Sequence, residues 1–153
     1  MKRSPKENEL LNSLGPSSFS AQGFLGQDQR HFEEIIAADA RAIRKLGVSR
    51  EFLADILEKI FLAAEKGMED PVRITGDVQA RYIPCRGRIP SPFPAEGTFD
   101  KSLVEVFTDQ GSLLFYVNRL SIHLIRCHGF FQGRGSFFRV EPEQIALLAR
   151  EII

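Results

Sequence analysis

The sequence predicts a single α+β domain: an N-terminal helical hairpin, a curved antiparallel sheet of four to six strands and a C-terminal helix. Three observations carry this. Apolar residues recur at spacings of three and four from Phe32 to Ala64, alternating and β-branched runs take over after Pro71, and Pro142 opens a last apolar-striped segment. A chain of 153 residues, 43% hydrophobic and 26% charged, has the size and composition to bury one core.

Residues 1–27 are rich in Ser, Gly, Asn, Gln and Pro and read as a loosely ordered arm, leaving 28–153 as the domain. The arm still carries Leu10, Leu11, Leu14, Phe19, Phe24 and Leu25, so it is expected to dock on the domain or on a second subunit. Asp28 is placed to cap the first helix, whose stripe is Phe32, Ile35, Ile36, Ala40, Ile43 and Leu46. Gly47 stands where a left-handed residue ends a helix, and Ser49 caps the next. That second helix turns Leu53, Ile56, Leu57, Ile60, Phe61 and Ala64 to one side and stops before Gly67. The three-residue link makes the two helices neighbours.

Beyond Pro71, "VRITGDVQARYIPC" has the alternation of one or two strands. The segment "RGRIPSPFPAEG" holds three prolines between residues 90 and 94, which excludes a helix or a central strand and predicts an extended surface loop. Two apolar runs around Asp109-Gln110-Gly111 predict a hairpin. Asn118 and Gly129 then bracket a helix of about ten residues, although Leu120, Ile122 and Leu124 also alternate as a strand would. "FFQGRGSFFRV" reads as a hairpin turning at Gly133–Gly135, because a strand and not a helix follows its glycines. The last helix begins at Pro142.

Charge narrows the function classes. Twenty basic residues balance twenty acidic ones, which argues against bulk electrostatic binding of nucleic acid. The link "ARAIRKLGVSREFLADIL" resembles a DNA-binding helix-turn-helix in its Gly47 and buried positions. It departs from that motif at Ile43, where a small residue is expected, in the length of its first helix, and in Glu51, Asp55 and Glu58 on the second, which repel phosphates. No nucleic-acid partner is expected. Two cysteines make no disulfide framework, the start "MKRSPKENEL" lacks an apolar leader core, and no run approaches the roughly 18 apolar residues of a membrane span. A cytoplasmic protein without membrane contact is the expectation.

The balance is uneven, however. Residues 71–140 hold nine basic side chains, eight of them Arg, against five acidic. If 118–128 is helical, Leu120, Leu124 and Cys127 form its buried side while Arg119, His123 and Arg126 share an adjacent strip. With His128, Arg86, Arg88 and Arg134 nearby in the chain, this predicts a shallow site for phosphate, carboxylate or an acidic partner. The competing structural reading pairs Arg126 with Glu105 or Glu143. The leading expectation is thus a non-catalytic binding module for a small anionic ligand. An enzyme alternative, a hydrolase or group transferase, would use Cys85, whose Arg86 and Arg88 favour a thiolate, or His123 and His128. A third alternative is an assembly protein that self-associates through its arm or a Phe-rich surface. His123 and Cys127 lie one helical turn apart, a spacing that can share an ion. With His128 and Cys85, however, they make no CxxC, no HExxH and no second close pair, and Cys127 falls on the apolar side, so neither metal nor cofactor is expected.

Overall fold

The computed structural model describes residues 23–152 and is an α+β fold. Helices α1 (Phe32–Leu46) and α2 (Arg50–Lys66) lead. Strands β1 (Val72–Thr75), β2 (Val78–Ile83), β3 (Arg88–Pro90), β4 (Thr98–Asp100), β5 (Leu103–Thr108) and β6 (Leu113–Asn118) follow. Helices α3 (Arg119–His128) and α4 (Pro142–Ile152) complete the order. Strands β1, β2, β5 and β6 form one antiparallel sheet in that order, with register irregularities in the β1–β2 and β5–β6 pairings. Strands β3 and β4 form a separate two-stranded ribbon.

The helical hairpin forms as the spacing predicts. Gly47 takes the left-handed conformation (φ 72°), and the Ser49 hydroxyl accepts the Phe52 amide at 3.0 Å. The first cap differs from expectation. His31, not Asp28, precedes α1 and accepts the Glu33 amide, while Asp28 is engaged by Arg30 and by the backbone of Arg134. The α1 stripe also shifts: Ala40 is exposed and Asp39 is buried, in an ion pair with Arg139 at 2.6 Å.

Helix α2 lies on the four-stranded sheet. Leu53, Ile56, Leu57, Ile60 and Phe61 meet Val78, Ala80, Val104, Val106, Phe115 and Val117 in the main core, closed at one end by α4. A second core gathers Phe24, Phe32, Ile35, Ile89, Leu120, Leu124 and Phe130. Helix α3 joins them, with Ile122 and Ile125 in the first and Leu120 and Leu124 in the second. Burial of each such side chain favours folding by about 1.5–3 kcal/mol, so this short helix is fixed in place by both of its apolar sides.

Two further expectations change. The Pro-rich segment is not only a loop, because its first part forms β3, which pairs with β4 just beyond the segment, with Pro90 at the last position of its strand. Residues 130–140 form turns and no strand. Their backbone bonds run instead to the start of the described chain, from the Gly133 amide to the Phe24 carbonyl and from the Gln27 amide to the Arg134 carbonyl, both 2.8 Å. Residues 23–27 therefore pack on the domain, with Phe24 buried. Leu10, Leu11, Leu14 and Phe19 of the expected arm lie outside the described residues. Among the described residues, no helix is long and apolar enough to cross a membrane.

Candidate functional site

Helix α3 sets the site, and its ends are strongly specified. The Asn118 side chain accepts the Ser121 amide at 2.7 Å, and the Ser121 hydroxyl accepts the Asn118 amide at 2.9 Å, a reciprocal cap that satisfies two otherwise orphaned donors. Gly129 (φ 62°) ends the helix, and the chain turns inward at Phe130. The strand alternative for this segment is thereby excluded.

The strip of Arg119, His123 and Arg126 exists, but its arginines are engaged by acids of α2. Arg126 bonds Asp55 at 2.8 Å and Glu58 at 3.1 Å. The Asp55 hydrogen bond, opposed by desolvation and helped by Glu58, holds the guanidinium above its ordinary pKa. Arg119 meets Glu65 at 3.4 Å and lies over the Phe61 ring. The partners are α2 acids, not Glu105 or Glu143, and Asp55 and Glu58 are among the residues that made the second helix unfit for DNA. An anion entering here has to displace three carboxylates.

The remaining members of the predicted set separate. Arg88 spans its own ribbon, donating to the Thr98 hydroxyl and carbonyl. Arg86 and Arg134 have exposed side chains, and among the described residues neither guanidinium bonds to the α3 strip. Cys85 is half-buried, its amide donating to Ser102 and its thiol facing the Ile83 carbonyl, with no imidazole partner among the described residues. Cys127 is exposed, not buried as its place beside Leu124 suggested, and its sulfur lies 3.5 Å from His123 Nδ1.

What the structure does bring together is His123, His128 and a residue that sequence reasoning passed over, Glu96. His123 Nε2 lies 2.9 Å from Glu96 Oε1, and His128 Nε2 lies 2.8 Å from Oε2. All three side chains are about three-quarters buried. The Ser91 hydroxyl donates to the same carboxylate at 2.7 Å. Burial raises the Glu96 pKa, but hydrogen bonds from Ser91, His123 and His128 outweigh it and bring the carboxyl down to about 2. The group is therefore an anion that only accepts.

The Pro-rich loop delivers Glu96. Ile89 is buried in the second core and Phe93 and Phe99 pack against it. Phe93 stacks flat on the His128 ring (3.7 Å, 7°), and Phe99 leans on His123 (4.8 Å). Ala95 (φ 65°) and Gly97 (φ 78°) flank Glu96 in left-handed conformations. For Ala95 that costs about 1 kcal/mol or more, and it folds the loop back so that the carboxylate meets the helix. The loop's unusual proline content was the one textual signal pointing here.

Fold and site thus define an α+β domain that carries an imidazole–carboxylate cluster where a loop crosses a helix. No family model, curated protein or solved structure matches the chain.

Proposed function

We propose that the protein is a non-catalytic binding module whose recognition site is the junction of the Pro-rich loop with α3. One observation supports this best: two imidazoles on one helix turn their Nε2 atoms onto a single carboxylate supplied by a separate, strained loop. Most side-chain hydrogen bonds run to backbone or water, so a partly buried three-residue constellation spanning two elements favours a ligand role.

The ligand engages Glu96, His123 and His128 in preference to the arginines. With Asp55, Glu58 and Glu65 already on Arg119 and Arg126, the neighbourhood favours an electron-pair acceptor over the small anion that the sequence suggested.

Long-range proton–nitrogen spectra of the imidazoles test the reading, with phosphate, citrate, divalent cations and organic amines as titrants. At least one titrant class is expected to move His123 and His128 together, and Glu96→Gln to weaken that response. Shifts confined to the arginine Nε signals, or no response to any titrant, would refute it.

A further inference from the structure

Resting on that binding-site reading, we infer that Glu96, His123 and His128 hold a divalent first-row transition-metal ion, leaving its other coordination positions to water or an exogenous ligand. One ring nitrogen of each histidine and a carboxylate oxygen all lie within 4.8 Å of one another, and each Nε2 is within 2.9 Å of Glu96. Bonds of about 2.0–2.2 Å to an ion place such atoms roughly 3.3 Å apart in a tetrahedral site. Each Nε2 already lies closer than this to one carboxylate oxygen, and the remaining separations, within 4.8 Å, shorten when an ion is held.

The donor set selects the class of ion. Calcium takes six to eight oxygens and magnesium keeps most of its water, whereas two nitrogens and one carboxylate suit zinc, iron or their neighbours. A three-ligand set of this kind leaves coordination positions open.

Three further features fit the same ion. Metal at Nε2 requires the ring proton to sit on Nδ1, where it needs an acceptor. For His123 that position faces Cys127 Sγ at 3.5 Å, one helical turn on. The stacked Phe93 and the adjacent Phe99 fix the ring planes and exclude water from one side of each. His128 is the last residue of α3, so a cation there meets the negative end of the helix dipole.

Cobalt(II) and zinc(II), added to the chelator-treated full chain, provide the test. One equivalent of cobalt is expected to give visible d–d absorption without a thiolate charge-transfer band, and zinc to displace it. Glu96→Gln and His128→Asn should each weaken binding by at least about tenfold, and Cys127→Ser by up to about tenfold with its spectrum unchanged. Imidazole nitrogen shifts of the wild type, which do not depend on any variant folding, should report both Nε2 atoms as metal-bound. Absence of a cobalt spectrum, an intense thiolate band, or binding that persists in the Glu96→Gln/His128→Asn double variant overturns the metal assignment. If metals leave both rings unmoved while an organic amine moves them, the ion is wrong and the binding site stands. If no titrant moves them, both readings fall.

Discussion

Glu96 is the residue on which most of the site depends, and its acidity is a stability statement. The carboxyl has a pKa of about 2 in the fold against an ordinary 4.5, so the folded state favours its ionised form. A depressed pKa of this kind contributes stability that is complete above about pH 4.5 and is lost as pH falls towards 2. Glu96→Gln removes that contribution. The stability gap between wild type and variant, followed by urea denaturation, is expected to be widest near neutrality and to close through this window; a gap independent of pH counts against ionised Glu96 as the clasp. The arginine pairs on α2 matter less. Arg119 and Glu65 are both well exposed at 3.4 Å, a geometry worth about 0–1 kcal/mol. Asp39 and Arg139 differ, being buried together with Glu141 adding a second carboxylate. The pairs of Arg119 with Glu65 and of Arg139 with Asp39 were not legible in the sequence, because each joins residues tens of positions apart.

Helix α3 is the element that turns local chemistry into a site. Its start depends on Asn118, which is buried and bonded in both directions with Ser121. Asn118→Ala leaves the Ser121 amide unpaired, while the backbone amide of residue 118 keeps the Ser121 hydroxyl, and is expected to lower unfolding free energy by about 1–2 kcal/mol. Amide hydrogen exchange should show the loss in the first turn of α3, ahead of the sheet; unchanged protection there would mean the cap is not limiting. This element was readable because its signals are local: a capping residue, a terminal glycine and an apolar stripe. The segment after it was misread for the opposite reason. Gly133 and Gly135 look like a hairpin turn, yet the adjoining backbone pairs with residues 24–27, over a hundred positions earlier.

At the scale of the whole molecule, two cores are tied together by α3 and closed by residues 23–27. The closure is tight at Gly133, where a Cβ would overlap the Leu25 carbonyl while the amide bonds Phe24. Gly133→Ala is expected to cost about 2–3 kcal/mol and to free residues 23–27 for cleavage by protease. A variant as stable and as resistant as wild type would show that this crossing does not hold the second core. The consequence reaches the site, since Ile89, Phe93, Phe99, Leu120 and Leu124, which position the loop and α3, pack in that core with Phe24.

By itself the sequence determined the fold class, the helical hairpin with Gly47 and Ser49 at its turn, the Asp109–Gly111 hairpin and the bounds of α3, because periodicity, caps and turn residues act over a few positions. It also placed Arg119, His123 and Arg126 on one side of that helix. Only the tertiary structure decided what faces them. Helix α2 supplied acids to the arginines, and a loop anchored by aromatic side chains brought Glu96 to the histidines. Pairing across elements depends on how two cores pack, and that is a property of the assembled chain, not of any window along it.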